Sequence, residues 1–284
     1  MRFSIRGSGM SRRWGRALRH RALVAGLAVT MMVVGTAVCS VVYTPRDPLR
    51  MELAARLEAP SASHPMGTDQ YGRDLLSRVM RGAVASLAVG AVAVGIGMGI
   101  GVILGAAGGW VGGWLDESAL RVADAVYGFP AVLSALLVTA VFGPGVLISM
   151  VAVGIAYVPV FARLTRANVL ALRVQEFVTA AEALGARDAA ILWRHVLPNT
   201  VSPLIVQATI SFPLAILAEA ALSYLGLGTQ PPHPSWGLML REAQNFLQLS
   251  PWFAIFPGAA IALAVLGFNL LGDGLRDVLD PRAN

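Results

Sequence analysis

Residues 82–108 read GAVASLAVGAVAVGIGMGIGVILGAAG, and no charged residue occurs between Gly82 and Leu115. A helix at a protein–water boundary keeps a charged face. This run has none, and about 20 such residues cross the hydrocarbon core of a bilayer. A membrane span is therefore expected at about 84–108. The run holds Gly90, Gly95, Gly97, Gly99, Gly101, Gly105 and Gly108. In water these would weaken a helix. In lipid, glycines four apart, such as Gly97, Gly101 and Gly105, let another helix backbone come close. They are not a dinucleotide fingerprint, because no strand–turn–helix context surrounds them.

The rest of the chain agrees. Of 284 residues, 56% are hydrophobic and only 13% charged, with mean hydropathy +0.66. A soluble domain of this size carries about twice that charge. Ala22 to Pro45 reads as an uncleaved first span. It is longer than a signal-peptide core, and Cys39–Ser40–Val41 is a poor cleavage site. The lone Cys39 is expected to be a buried small hydrophobe. The run Ala125 to Ala162 is split by Phe142–Gly143–Pro144–Gly145 into spans at roughly 121–142 and 146–163. A fifth span is expected within Val196 to Ala218, opening just before Pro198, and a sixth near 252–271. Between these two, Ala220 to Leu240 contains Gly226, Gly228, Pro231, Pro232 and Pro234. It is expected to be an ordered loop at the membrane surface. The expected fold is an all-α polytopic membrane protein with six transmembrane helices. Residues 1–80 form an N-terminal basic segment, first helix and outer loop, residues 81–284 the main transmembrane domain, and no soluble domain is expected beside them.

Charge placement sets the orientation. All 22 basic residues are Arg, and seven lie in the first 21 positions with no acid among them. With that terminus inside, the inner segments carry 15 Arg and the outer ones seven, as the positive-inside rule requires. Both termini are then cytoplasmic. The net charge of +6 is an orientation signal here, and no nucleic acid partner is expected. The absence of Lys also excludes a Walker A phosphate loop within these residues, so ATP-driven work would need another subunit.

About 35 residues, Arg163 to Asn199, join spans four and five, far more than the two to eight of a simple helical connection. Phe177, Ala181 and Leu184 recur at helical spacing, so Gln175 to Leu184 reads as a short amphipathic helix. Gly185 stops it. Asp188 would cap a second helix, Ala189 to Val196, which Leu197–Pro198 ends or redirects. Arg163, Arg166, Arg173, Arg187 and Arg194 would make the face basic. Two readings stay open on these grounds: a helix pair anchored to acidic lipid heads, or a helix–turn–helix that another protein grips. The small residues Thr179, Ala180, Ala181, Ala183 and Gly185 favour the second.

Thr179–Ala180–Ala181–Glu182–Ala183–Leu184–Gly185, followed by His195–Val196–Leu197–Pro198–Asn199, resembles the EAA loop of type I permeases of binding-protein-dependent ABC importers. Thr179 replaces the usual leading Glu. His64–Pro65–Met66–Gly67–Thr68–Asp69–Gln70–Tyr71–Gly72–Arg73–Asp74–Leu75–Leu76–Ser77–Arg78 resembles the segment before the second span in dipeptide, oligopeptide and nickel permeases of the "C" type. Leu222 to Gly228, with Pro231–Pro232 and Trp236–Gly237, is similar to their outer loop. Asn269 to Asp277, with Asp280–Pro281–Arg282, is similar to their C-terminal signature. The resemblance implies a permease for di- or oligopeptides, with nickel or a metal–chelator complex as the alternative. It implies a second homologous permease subunit, two ABC ATPase subunits and an extracytoplasmic solute-binding protein as partners, beside membrane lipid, in a prokaryotic cell membrane. It makes Glu176, Phe177, Thr179, Ala180, Ala181, Leu184, Gly185, Arg187 and Asp188 the ATPase-docking residues. No cofactor, metal or catalytic residue is expected.

Few charges fall inside spans, where they are functional suspects. Asp124 is expected to pair with Arg121. Glu219 either lines the translocation path or caps the outer loop, with Tyr224 nearby. His20, His64, His195 and His233 share no ligand spacing. Arg73, Arg78 and Arg81 suggest an amphipathic helix over 71–83, lying on the membrane or meeting a solute-binding protein. An ATP-independent transporter would require ionisable residues deep in the spans, and a membrane enzyme a catalytic constellation. The former are nearly absent, and no such constellation is found.

Overall fold

The computed structural model describes residues 21–279. The basic segment 1–20 and Asp280–Pro281–Arg282 lie outside the described residues. Ten helices organise the described chain: α1 (Arg21–Val42), α2 (Leu75–Val111), α3 (Gly113–Tyr127), α4 (Ala131–Phe142), α5 (Val146–Arg173), α6 (Glu176–Ala183), α7 (Asp188–Ile191), α8 (Leu197–Tyr224), α9 (Trp236–Ala243) and α10 (Trp252–Leu279). The described residues contain no strand, only an isolated bridge between Thr68 and Asp74.

Among the described residues, five helical stretches are long and apolar enough to cross a membrane: α1, α2, α5, the continuous α7–α8 and α10. The sixth expected span, at 121–142, is not one straight helix. Here α3 and α4 meet at 87°, at the break Gly128–Phe129–Pro130. Pro130 cannot donate within a helix, and it pushes Phe129 out of the α region. Helix α4 has 12 residues, about 18 Å of rise, too short to cross alone.

Helix α2 is longer than the span expected from charge. It begins at Leu75, where the Asp74 carboxylate accepts from the Ser77 amide at 2.9 Å. The amphipathic surface helix expected over 71–83 is therefore absent as a separate element. Its residues from Leu75 onward are the first turns of α2.

Glycine rows set the helix pairing. A Cβ on Gly97 would lie 2.6 Å from Tyr157 Cβ, and one on Gly101 2.6 Å from Phe161 Cβ. Gly105 abuts the carbonyl of Ala162. Only hydrogen fits, so α2 and α5 touch backbone to backbone. On the far flank, Gly26 and Gly274 give α1 and α10 the same intimacy, against Leu271 and Leu23 respectively. Cys39 is exposed on α1 instead of buried, because the face of α1 turned to the bundle runs through Gly26, Thr30, Val33, Ala37 and Ser40.

Candidate functional site

At one end of the bundle, α6 and α7 project beyond the spans. The apolar face of α6 differs from the expected one. Val178 is fully buried and Ala181 partly so, whereas Phe177 is 40% and Leu184 88% exposed. Val178 sits in a small core with Trp110 of α2, Val169 of α5, Ile191 of α7 and Val196. The helix pair is thus seated on the ends of two spans and the start of a third. Gly185 carries φ +77°, with nothing within 4 Å of a Cβ placed there. Its amide bonds to the Glu182 carbonyl, and Ala186 N to the Ala181 carbonyl, a left-handed C-terminal stop.

Asp188 is the first residue of α7 and not its cap, since Arg187 holds the cap position without a side-chain bond. The second helix does not end at Val196 either. Leu192–Val196 forms a π-turn and runs on into α8, so Leu197–Pro198 lies in the first turn of a helix where proline is tolerated. Glu176, Phe177, Thr179, Ala180, Leu184, Gly185, Arg187 and Asp188 are all exposed, and Ala181 faces the seat.

Three of the five arginines expected on this face point elsewhere. Arg166 forks onto Asp116 of α3 through Nε and Nη2, the latter at 2.6 Å. Arg163 Nη2 donates to Asp124 at 2.6 Å and its guanidinium covers the Tyr127 ring. Arg173 Nη1 donates to the Trp110 carbonyl at 3.0 Å. Together they strap α3 and the end of α2 to α5. Asp124 pairs with Arg163 and not Arg121, which takes Glu117 one helical turn away. Among the described residues, Arg187 and Arg194 remain on the exposed helix pair.

The opposite end is built around buried polar groups. Glu219 is fully buried on α8. Its Oε1 accepts from Ser223 Oγ at 2.6 Å and Thr229 Oγ1 at 3.2 Å, and its Oε2 from Ser86 Oγ of α2 at 3.2 Å. Ser86 Oγ also accepts the Trp236 amide, and Trp236 Nε1 donates to the Val79 carbonyl at 3.0 Å. The loop 225–235 is therefore ordered and tied to α2, α8 and α9. Its Leu227 carbonyl further accepts from Gly145 N and Ser149 Oγ at the start of α5. Tyr224 does not join this network. It lines an apolar depression of about 470 Å³ with Leu217, Leu240 and Ile261.

Sequence reasoning missed a second cluster beside it. Arg73 and Arg78 are buried, not membrane-facing. Both reach Glu242 of α9 and Asp69. Nearby, His64 Nδ1 lies 3.0 Å from Asp74. The arginines were visible in sequence, but their acid lies far along the chain, at separations of 169 and 164 residues. Among the described residues, no group of three His, Cys, Asp or Glu side chains could hold a metal ion.

Residues 97–284 match the family described as "Binding-protein-dependent transport system inner membrane component". The dipeptide transport system permease protein DppC of Alkalihalophilus pseudofirmus is 42% identical over 264 residues, covering 93% of this chain and 87% of the relative. The glutathione transport system permease protein GsiD of Salmonella typhimurium is 48% identical over 271 residues, covering 95% and 89%. A putative peptide transport system permease protein of Brucella abortus is 42% identical over 267 residues, covering 94% and 90%. The spans, the projecting helix pair and these similarities agree: the chain is a multi-pass membrane protein and belongs to the inner membrane components of binding-protein-dependent transport systems, the type I permeases of ABC importers.

Proposed function

We propose that this chain lines the membrane path of an importer for di- and oligopeptides and is driven by ATPase subunits that grip α6 and α7. The carrying observation is the exposed helix pair seated on Trp110, Val169 and Val196. A partner that pulls on α6 would move the ends of α2, α5 and α8 together, as a rigid-body transition requires. Glu176, Phe177, Thr179, Ala180, Leu184, Gly185, Arg187 and Asp188 form the gripped surface. Ala181 holds it down from beneath. The chain itself hydrolyses nothing. The names of the relatives, which speak of dipeptide, peptide and glutathione transport, favour peptides over nickel.

The complete importer adds a second homologous permease, two ABC ATPases and an extracytoplasmic solute-binding protein. The helix pair faces the cytoplasm, as do both termini, and the end holding Glu219 faces outward. There Glu219 caps the loop 225–235. Three donated hydroxyls support this reading over an open path. Residues 81–284 form the transport domain, with 1–80 as its N-terminal addition.

Gly185→Arg tests the docking role. The bare glycine face leaves room for a close-fitting partner, which an arginine would obstruct. The φ of +77° adds backbone strain. Membrane insertion should be normal, while co-purification of the ATPase or transport should be lost. Wild-type assembly and uptake in this variant would refute the reading.

A further inference from the structure

At the Glu219 end, α1 finishes at Val42 and the chain passes across the start of α2, where Arg46 N donates to Ser77 Oγ at 3.0 Å. A cavity of about 280 Å³ opens there, lined by Ser40, Tyr43, Asp47, Arg81 and His233 among others. Its depth relative to the bilayer follows from α2. About 20 residues fill the hydrocarbon core, and Val84 to Gly108 supply them. Arg81 precedes that stretch by one turn, at the level of lipid headgroups.

The charges in this cavity leave much of their bonding capacity unused. Arg81 makes one hydrogen bond, from Nη1 to the Ser40 carbonyl at 3.2 Å. Four of its five N–H donors have no other hydrogen bond or ion pair among the described residues. Asp47 accepts the Leu49 amide on Oδ1 at 2.9 Å, and its Oδ2 is unpaired among the described residues. His233 is exposed and likewise unbonded there. Three other arginines among the described residues do take a nearby acid: Arg73 with Asp69, Arg166 with Asp116, Arg163 with Asp124. Arg81 and Asp47 share one cavity and do not pair.

Below the cavity mouth, α1 presents an apolar stripe. Met31, Val34, Val38 and Val41 recur at helical spacing, and all are exposed. Val41 belongs both to this stripe and to the cavity wall.

We propose that this cavity binds the headgroup of a zwitterionic phospholipid of the phosphatidylethanolamine class. Arg81, with His233 beside it, takes the phosphate, since guanidinium is the preferred partner of that group. Asp47 takes the ammonium, whose three N–H donors suit a carboxylate. The acyl chains run down the Met31–Val41 stripe. A free dipeptide also carries an ammonium and an anionic group, but it has no use for the stripe. The proposal requires only that the chain is embedded in a membrane.

Native mass spectrometry of the full chain in detergent, delipidated and offered matched lipids, tests this. Phosphatidylethanolamine should be retained over both phosphatidylglycerol and phosphatidylcholine. Arg81→Gln should lower retention of phosphatidylethanolamine about tenfold, the size of one lost charge-assisted bond. Asp47→Asn keeps the oxygen that accepts Leu49 N, so folding is undisturbed. It should abolish the preference for phosphatidylethanolamine over phosphatidylglycerol. Equal retention of the three lipids by the native chain, or an unchanged preference in Asp47→Asn, would overturn the proposal. Displacement of the lipid by a labelled dipeptide would also overturn it, by assigning the cavity to substrate.

Discussion

Arg78 Nη2 donates to Glu242 Oε2 at 2.7 Å, joining the first turns of α2 to the short helix α9 across 164 residues of sequence. Arg78 is fully buried and the Glu242 side chain nearly so. Arg73 and Asp69 complete the group, giving two positive and two negative charges.

Removing one member of a buried, balanced set leaves its partner charged and dry. Glu242→Ala should therefore destabilise the chain by about 3–5 kcal/mol. Arg78→Met combined with Glu242→Leu should cost less than Glu242→Ala alone, because nothing charged is stranded between them. Thermal unfolding of the two variants in detergent checks both expectations.

Glu219 should tolerate an amide better than an alkyl group. Gln keeps one acceptor oxygen, and the hydroxyls of Ser86, Ser223 and Thr229 can rotate to meet its NH₂. Leu strands those hydroxyls, at about 1–3 kcal/mol for each one left unpaired. Limited proteolysis within 225–235 should be unchanged in Glu219→Gln and faster in Glu219→Leu.

Two glycines on α2 make an internal control. A Cβ on Gly101 meets Phe161 Cβ at 2.6 Å and the Val158 carbonyl at 2.8 Å, whereas one on Gly99 meets nothing within 4 Å. Gly101→Ala should destabilise by about 1–3 kcal/mol through overpacking. Gly99→Ala should be neutral or slightly stabilising, as alanine in a helix normally is relative to glycine. The melting temperatures of the two variants decide it.

Val178 and Phe177 are neighbours with opposite duties. Val178→Ala removes buried methyl groups from the seat beneath α6 and should cost about 2 kcal/mol of local stability. Hydrogen exchange over 176–183 should quicken. Phe177→Ala leaves the seat intact and should instead weaken capture of the ATPase in a pull-down.

The spans were legible because a bilayer tolerates so few charges that their absence is itself a map. Gly97, Gly101 and Gly105 read correctly as a packing row for the same reason. What escaped were features that depend on distant partners. Arg73 and Arg78 looked like one face of a surface helix until Glu242, far along the chain, neutralised them. Phe177 and Leu184 fit the apolar period as well as Val178 does. Only the positions of Trp110 and Val169 decide which face is covered. The bend between α3 and α4 was local and visible at Gly128–Phe129–Pro130, but the continuous apolar run across it masked the break. The projecting loop was legible as a pair of short helices from its length, its apolar spacing and Gly185. Its basic face was not, since Arg163, Arg166 and Arg173 turn back onto the spans.

The central claim is that this chain provides a peptide path moved by an engine docked at α6 and α7. Uptake of a labelled dipeptide into proteoliposomes, with the binding protein outside and ATP inside, tests it most directly. Uptake should require co-reconstituted Walker A ATPase subunits and the second permease, and should vanish with Gly185→Arg. Sustained uptake by this chain alone, without any ATPase, would contradict the account.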